Sequence, residues 1–433
     1  MTCTHICLDT QSPPFYILLI PKKALPAPDK IRNSSSTVTR MSDPDFSLLP
    51  LSAIHFGPGR FSLLAELAGT LGTNILVVTG SHALQLSGRL GILLDALRGA
   101  GLRCSHLVVD REPSPELIDR ALAAYREFSI DAVLAVGGGS VLDAGKAISA
   151  MLLHRLPVER FIEGQDGFMP HDGRKVPFIA VPTTSGTGSE VTDTAVISRV
   201  GKNGYKRSLR HAAFVPDIAV IDPELMVTVS PELTAASGMD ACTQLLEAYS
   251  SPFANPYTDA LACSGLEHFS RSFLSVCTDR SGDSDARGNI AYAALMSGIV
   301  LANAGLGIVH GFASSVGGLF DIPHGVLCAT LLAEATRENI TMLRLSDPGH
   351  PALQKYARAG EILSGAAAKE VYSGCERLLE TLEKWQDLLC FPRLSRYGIL
   401  PGDLDGIVSA TRKKSNAVQL DDAAMKRILS NRW

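Results

Sequence analysis

A short apolar run, a glycine triplet and a helix-forming run follow one another in AVLAVGGGSVLDAGK, residues 132–146. The pattern predicts a buried strand over residues 132–136 and a helix that begins near Val141. Glycines let a phosphate approach the backbone closely because no Cβ intrudes and φ can be positive, and the helix start adds the positive end of its dipole. The triplet is not the spaced G-x-G-x-x-G fingerprint, so alone it is a weak signal. We predict a pyrophosphate loop formed by Gly137, Gly138, Gly139 and Ser140 and braced by Asp143.

On both sides of this stretch, from residue 74 to 222, apolar or β-branched runs alternate with helical runs. This alternation is typical of a Rossmann-like parallel sheet with helices on both faces. Strands are predicted at residues 75–79, 106–110, 132–136, 178–181 and 218–221, and helices at residues 86–98 and 115–128.

Strand candidates nearly vanish after Met226. Helices are predicted at residues 231–250, 255–273, 286–304, 326–339 and 370–389. We therefore expect a dinucleotide-binding α/β domain at residues 41–225 and an all-α metal-binding domain at residues 226–433. A ligand would lie at their interface.

A second polar loop, PTTSGTGSEVT at residues 182–192, follows the strand at residues 178–181. Its hydroxyl groups could surround a ribose-phosphate with hydrogen-bond donors. The alternative is a simple turn rich in serine and threonine.

Four separated polar residues form a candidate metal site. Asp240 and Gln244 are four residues apart on a predicted helix, so both side chains leave the same face, while His310 follows Gly305-Leu306-Gly307 and His324 lies in Pro-His-Gly. A carboxylate, an amide oxygen and two imidazoles suit Fe²⁺ or Zn²⁺. Each histidine could instead be an ordinary core residue, because the spacing is not a compact metal motif.

The length, net charge and cysteine pattern exclude several classes of protein and partner. A length of 433 residues favours two domains, and a net charge of −4 gives no reason to expect a nucleic acid or an acidic membrane as partner. The nine cysteines contain no C-x-x-C pair, which fits a reducing cytoplasm. Buried structural thiols are expected at Cys104, Cys242, Cys263 and Cys328. The uncharged run 291–309 is expected to be a buried helix and not a membrane span.

The first 40 residues differ from the rest, with several prolines and a Ser-Ser-Ser run at residues 34–36. Their composition favours a disordered extension ahead of Met41. The alternative is a transit peptide.

Taken together, the motifs resemble the iron-dependent (group III) alcohol dehydrogenase family from about Ile54 to the C-terminus. The similar stretches are GGGSVLDAGK, PTTSGTGSEVT, PDIAVIDPEL (216–225), SGMDACTQLLEAY (237–249), and GLGIVH (305–310) followed by PHG (323–325). The resemblance implies a dehydroquinate synthase-like architecture: a dinucleotide-binding domain, a helical domain and a metal in the cleft between them.

The resemblance also assigns roles to matching positions. It places the pyrophosphate at residues 137–140, the cofactor at Thr183, Thr184 and Thr187, and the nicotinamide ribose at Lys206. Metal ligands are implied at Asp240, His310 and His324, and uncharged pocket positions at Leu301 and Thr194.

The chain departs from the family pattern in three places. Gln244 stands where the fourth metal ligand is usually histidine, so we expect weaker metal binding. Ser314 replaces a histidine near the nicotinamide and can act at most as a hydrogen-bonded proton relay. Gly80 and Ser81 stand where NAD-preferring members carry an aspartate, so NADP(H) should serve at least as well as NAD(H).

The resemblance thus implies an NAD(P)-dependent oxidoreductase with Fe²⁺ or Zn²⁺ that interconverts a small, uncharged alcohol and its aldehyde or ketone. A cytoplasmic homodimer or higher homo-oligomer is expected. The alternatives are a maleylacetate-reductase-like or phosphono-aldehyde reductase, and a weakly active NAD(P)-binding regulator whose metal site has decayed at Gln244. A sugar-phosphate cyclase would need a basic phosphate-binding cluster, and none is found near the cleft motifs.

Overall fold

The computed structural model describes residues 45–202 and 204–433, so the predictions for residues 1–40 lie outside the described part of the chain. A parallel six-stranded sheet, in the order β1-β8-β5-β4-β2-β3, forms the first half. Its strands are β1 (Ala53–Phe56), β2 (Asn74–Gly80), β3 (Arg103–Val109), β4 (Ala132–Gly137), β5 (Phe178–Pro182) and β8 (Ile218–Ile221). The α/β interpretation is confirmed.

Helices cover the sheet and connect its strands. They are α1 (Leu64–Gly69), α2 (Ala83–Leu86), α3 (Arg89–Gly99), α4 (Pro115–Tyr125) and α5 (Gly139–Met151). The predicted helix at residues 86–98 is in fact two helices, because Gly88 adopts a left-handed φ of 72° between them. Parallel strands need such crossovers, and their carboxyl ends meet at one edge of the sheet.

Three strands of the structure were not predicted from the sequence. One is the short edge strand β1, and the other two form an antiparallel hairpin of β6 (Thr194–Arg199) and β7 (Tyr205–Arg210). The β7 sequence, YKRSLR, carries three cations and lacks the apolar alternation by which a strand is recognised. The hairpin matters because it forms one wall of the site described below.

The second half is helical, as predicted. Pro231 begins its first helix, and the hydroxyl of Ser230 caps it by accepting a hydrogen bond from the backbone N–H of Leu233. The helices are α6 (Pro231–Ser250), α7 (Pro256–Cys277), α8 (Ser284–Ala304), α9 (Ile308–Leu319), α10 (His324–Ser346), α11 (Pro351–Ser364), α12 (Val371–Leu388), α13 (Leu404–Ala410) and α14 (Asp422–Asn431).

The uncharged run 291–309 is not one helix. Helix α8 ends at Ala304, Gly305 has a φ of 75°, and α9 begins at Ile308, so a left-handed residue that suits glycine breaks the run. In the described part of the chain, no single helix has the length and apolar character needed to cross a membrane. Helices α8 and α9 together meet that test by length and composition only, with a bend of 96°.

One buried apolar cluster joins the end of the sheet to the helices. It contains Ala219 and Ile221 of β8 together with residues of α6 to α14, among them Met239 and Leu245 of α6. Helix α6 therefore shares a buried core with the last strand of the sheet. The domain boundary at residues 225 and 226 falls between β8 and α6 and stays a prediction.

Candidate active site

Elements of both halves line one cleft of about 600 Å³. The α/β half contributes the start of α5, the loop after β5 and the β6–β7 hairpin. The helical half contributes residues of α6, α8, α9 and the start of α10. The volume is in the range of small-molecule and cofactor sites.

The glycine loop is shaped by close approach. A Cβ on Gly137 would lie 2.5 Å from Cβ of Val141, and one on Gly139 would lie 2.5 Å from Cγ2 of Thr187. None of the three glycines has a positive φ, so the expected conformational reason for glycine is wrong here and steric space is the real one. Helix α5 begins at Gly139, two residues earlier than predicted. Its first residues line the cleft, and the free N–H groups of a helix start can bind an anion.

A buried lysine fixes the second loop. Nζ of Lys146 on α5 donates to the carbonyl oxygens of Ser189, Thr192 and Thr194, each at 2.8 Å. Burial lowers the pKa of Lys146 to about 8, against the attraction of the acidic groups around it. One ammonium group thus holds the backbone of residues 189–194 against α5.

Asp143 completes this bracing. Its carboxylate accepts hydrogen bonds from Oγ of Ser189 at 2.6 Å and from the backbone N–H of Val196 at 3.2 Å. Burial raises the pKa of Asp143, although Lys146 and these donors favour its charged form. The predicted bracing role of Asp143 agrees with these contacts, and they link α5 to the hairpin.

The hairpin carries Lys206 into the cleft. Its Nζ pairs with the carboxylate of Glu112, which also accepts a hydrogen bond from Oγ of Ser198 at 2.8 Å. Burial alone would raise the pKa of Glu112, but Lys206 and Ser198 together hold it below its usual range. Lys206 therefore has a fixed position in the wall of the cleft.

Three side chains of the helical half converge opposite the glycine loop. Oδ1 of Asp240 lies 3.3 Å from Nε2 of His310 and 3.4 Å from Nε2 of His324. Asp240 is only 2% exposed, and its Oδ1 accepts no hydrogen bond of acceptable geometry from any described residue. A buried carboxylate oxygen without a donor requires a compensating cation.

Glu247 determines which nitrogen of His310 faces the cluster. Its Oε2 lies 2.7 Å from Nδ1 of His310, and its Oε1 accepts from the backbone N–H of Val309 at 2.7 Å. A neutral imidazole that donates through Nδ1 presents a lone pair at Nε2. That lone pair and Asp240 Oδ1 are then two acceptors facing each other, which is the arrangement found around a metal ion. The residues present therefore fit a divalent metal.

Two further residues lie at this cluster. Oε1 of Gln244 accepts a hydrogen bond from Oγ of Ser297 at 2.7 Å. Sγ of Cys328 lies 3.8 Å from Nε2 of His324 and 4.0 Å from Nε2 of His310. Asp240, His310, His324 and Cys328 together have the spacing of a metal-binding group. Cys328 is buried, as its sequence context predicted, but it also lies beside the two histidines of the cluster, which the sequence context did not predict.

Family models match nearly the whole described chain. The model for iron-containing alcohol dehydrogenase matches residues 52–223, and the model for the C-terminal part of the Fe-containing alcohol dehydrogenase family matches residues 234–432. The chain belongs to the iron-containing alcohol dehydrogenase family. The resemblance inferred from the motifs is thereby confirmed. As a member, the chain is a metal-dependent, NAD(P)-linked oxidoreductase that interconverts an alcohol and its carbonyl compound.

Individual relatives agree with this membership. An NADPH-dependent butanol dehydrogenase of Clostridium saccharobutylicum is 32% identical over 391 residues, which cover 87% of this chain and 95% of that protein. A 1,3-propanediol dehydrogenase of Klebsiella pneumoniae is 36% identical over 301 residues, which cover 68% of this chain and 76% of that protein. The crystal structure of a 1,3-propanediol oxidoreductase matches with a TM-score of 0.79 at 28% identity, covering 90% of this chain and 100% of that one. The structure of an alcohol dehydrogenase from Oenococcus oeni matches with a TM-score of 0.80 at 28% identity, and it covers 90% of this chain and 100% of that one.

The fold brings most predicted site residues of this family member to the cleft. The residues that line it are Gly138, Gly139, Ser140, Asp143, Thr184, Thr187, Thr194, Lys206, Asp240, Gln244, Leu301, His310, Ser314 and His324. Gly80, Ser81, Gly137 and Thr183 do not line it. The first three lie at the carboxyl ends of the adjacent strands β2 and β4, and the N–H of Thr183 donates to the carbonyl oxygen of Gly137. Gly137 begins the glycine loop, Thr183 contacts it, and Gly80 lies close to Val141, the residue that follows the loop.

Ser314 lies where the resemblance placed it, but its hydroxyl is engaged. Oγ donates to the carbonyl oxygen of His310 at 2.9 Å, within its own helix. A hydroxyl has one proton to donate. This contact leaves Ser314 poorly placed to pass a proton onward.

Several residues of the site were not predicted from the sequence. Glu247 lies seven residues after Asp240 on α6, so the helical period that linked Asp240 to Gln244 also pointed to Glu247. Cys328 could have been found by the same rule, since it lies four residues after His324 on α10. Glu112, on the loop before α4, had no such signal, because its partner Lys206 is distant in sequence.

The cleft also contains basic side chains that the motifs did not reveal. Arg207 and Arg210 of β7 and Lys414 of the loop after α13 all line it. Lys414 has a φ of 47°, a conformation that costs a non-glycine residue about 1–3 kcal/mol. The statement that no basic cluster lies near the cleft motifs is therefore wrong. It failed because the hairpin was not predicted and Lys414 is distant in sequence.

Proposed function

We propose that this chain interconverts a primary alcohol and its aldehyde with NADP(H), at a divalent ion held by Asp240, His310 and His324. One observation carries the proposal: a buried cluster of metal-ligand atoms and a glycine-walled helix start line the same cleft of about 600 Å³. When bound, the ion would supply Lewis-acid polarisation of the substrate oxygen and the nicotinamide would exchange hydride.

The chain's own residues have positioning roles in this proposal. The start of α5 and the hydroxyl groups of Thr184 and Thr187 bind the cofactor phosphates, while Lys146 and Asp143 hold that wall in place. Lys206, fixed by Glu112, lies beside the nicotinamide ribose. Glu247 holds His310 in the tautomer that can bind a cation.

Gly80 supports the preference for NADP(H). It ends β2 without a positive φ, and a Cβ there would meet nothing closer than Cγ2 of Val141 at 3.7 Å. The backbone therefore does not require glycine at this position. Its absent side chain leaves space and removes the carboxylate that would repel a 2′-phosphate.

A substrate screen with both cofactors tests this proposal. We expect kcat/KM for short primary alcohols or aldehydes to be at least as high with NADP(H) as with NAD(H), and turnover to be lost after chelation. A wide preference for NAD(H) would refute the cofactor assignment. Unchanged turnover in metal-free protein would refute the function itself.

The basic side chains favour a second candidate, the reduction of a carbonyl substrate that carries a carboxylate or phosphonate. Arg207, Arg210 and Lys414 could pair with such an anion at the cleft wall. Leu301 and Thr194 instead favour an uncharged substrate. The variant Arg210→Gln decides between the candidates. If the cleft binds an acidic aldehyde through Arg210, KM for that aldehyde should rise by about tenfold or more while KM for butanal stays unchanged. If the substrate is neutral, KM should change for neither compound.

The remaining expectations stay predictions: a cytoplasmic location, assembly into a homodimer or higher homo-oligomer, and the division into domains at residues 41–225 and 226–433.

A further inference from the structure

The position of Cys328 carries an inference about the metal site itself. Cys328 lies four residues after His324, so both side chains project from one face of α10. Its thiol is fully buried, and Sγ lies 3.8 Å from Nε2 of His324 and 4.0 Å from Nε2 of His310. The sulfur thus belongs to the ring of atoms around Asp240 Oδ1.

The spacing of these atoms matches the size of a tetrahedral metal site. Bond lengths of about 2.0–2.1 Å to nitrogen or oxygen and about 2.3 Å to sulfur give edges of about 3.3 Å between N and O and about 3.6 Å between N and S. The N–O distances to Asp240 are 3.3 and 3.4 Å. The N–S distances of 3.8 and 4.0 Å exceed the expected edge by only a few tenths of an ångström.

A second, independent observation points to a cation at the same place. Oδ1 of Asp240 is buried and accepts no hydrogen bond of acceptable geometry from the described residues. It faces the two Nε2 atoms, and Glu247 leaves that of His310 as a lone pair. Asp240 Oδ1 and Nε2 of His310 are therefore two electron-pair donors that face each other, and Nε2 of His324 and Sγ of Cys328 lie beside them.

Gln244 is a weaker candidate for the fourth position. Its Oε1 already accepts a hydrogen bond from Ser297 at 2.7 Å, and a neutral amide oxygen is a poorer ligand than a thiolate for a borderline-soft ion.

We propose that Cys328, as a thiolate, is the fourth protein ligand of the metal, so that the site is Asp240, His310, His324 and Cys328, with Gln244 outside it and the substrate oxygen joining as a fifth ligand. The inference rests on the proposed function, which requires a metal here. On binding, the thiol loses one proton to solvent and its sulfur forms one bond to the ion. A set with one sulfur and two imidazoles favours Zn²⁺ over Fe²⁺.

Cobalt substitution tests this ligand directly. The full-length protein is stripped with a chelator and loaded with Co²⁺, and its absorption spectrum is recorded. We expect one Co²⁺ per chain and a near-ultraviolet charge-transfer band from thiolate to cobalt. In Cys328→Ser the band should disappear. The affinity for Co²⁺ should also fall, because loss of a residue that only supports a metal ligand already costs about 10- to 100-fold, and loss of the ligand itself should cost more.

Two further variants complete the experiment. Cys375→Ser changes another fully buried cysteine, whose Sγ contacts the carbonyl oxygen of Leu353 on α11, and should keep the band. Gln244→Ala should also keep it. Bound Co²⁺ without the band in the wild type, or a band that survives in Cys328→Ser, overturns the inference and leaves the proposed function standing. A wild type that binds no Co²⁺ and turns over without metal overturns both.

Discussion

The α/β half and the helical half of the cleft present their functional groups in different ways. The α/β half uses loops that directly follow β4 and β5, and neighbouring residues form each binding surface. The helical half uses single side chains from α6, α9 and α10, which only the packing of three helices brings together. A loop motif can therefore be recognised as a unit, whereas the metal cluster exists only in the folded chain.

The supporting contacts differ in the same way. In the α/β half, Lys146 holds the cleft wall through three backbone carbonyl groups. In the helical half, Glu247 orients the single side chain of His310. Substitutions at the supporting residues of the α/β half should therefore reduce stability. Substitutions at those of the helical half should reduce metal binding with the fold retained.

The largest effect is expected at the metal cluster. Asp240→Ala and His324→Ala should each abolish both metal binding and turnover, because each removes a ligand from a buried site. Glu232→Ala, which removes an exposed carboxylate from the same helix, is the matched control and should keep both. Metal content and kcat measured on the same samples check the prediction. A variant that loses its metal and still turns over would contradict it.

The next effect is expected on stability in the α/β half. Lys146→Met would leave three buried carbonyl oxygens without their donor, so the free energy of unfolding should fall by about 3 kcal/mol or more. Lys426→Met removes a surface ion pair with Asp405 and should cost less than about 1 kcal/mol. Chemical denaturation of both variants gives the comparison. Equal losses would show that Lys146 does not hold this wall.

A smaller effect should sharpen the assignment of the cofactor to the α/β half. Gly80→Asp introduces a carboxylate that can accept hydrogen bonds from ribose hydroxyls and repel a 2′-phosphate. Preference should shift towards NAD(H) by about tenfold in kcat/KM, which corresponds to 1.4 kcal/mol. Gly91→Asp places the same charge on the exposed face of α3 and should leave the preference unchanged. No shift in Gly80→Asp would place the ribose elsewhere.

The smallest effect is expected at Ser314, in the helical half. Its hydroxyl donates to the backbone of its own helix, and serine does not titrate near neutral pH. Ser314→Ala should therefore reduce kcat by less than about tenfold, a barrier change of about 1.4 kcal/mol. Steady-state kinetics of wild type and Ser314→Ala, on samples whose metal content has been measured, check this prediction. A loss of several hundredfold with the metal retained would show that Ser314 relays a proton.

The sequence predicted the cofactor half well because its signals are local. An apolar strand, a glycine turn and a helix start are adjacent in residues 132–146, and all five predicted strands exist. The prediction failed where a strand lacked apolar alternation, as in β7, or was short without a continuous apolar run, as in β1. It also treated residues 291–309 as one helix, since the break depends on the conformation of Gly305.

The metal half was predicted less completely for a physical reason. Asp240, His310 and His324 were candidates from their residue types, and only the family resemblance made them a ligand set. Cys328 was assigned to the core because a thiol in an apolar helix usually lies there. The approach of α9 to α10 places its sulfur among the histidines. No local pattern encodes that approach, so the ligand set depends on tertiary packing.

The central claim is that the cofactor loop and the metal cluster form one active site although each half binds its own ligand. Metal reconstitution, followed by both cofactor binding and turnover, tests it most directly. Chelator-stripped protein should still bind NADP(H) but have no turnover, and activity should return in proportion to added divalent ion up to one ion per chain. Full turnover in a sample shown to contain no metal would contradict the claim.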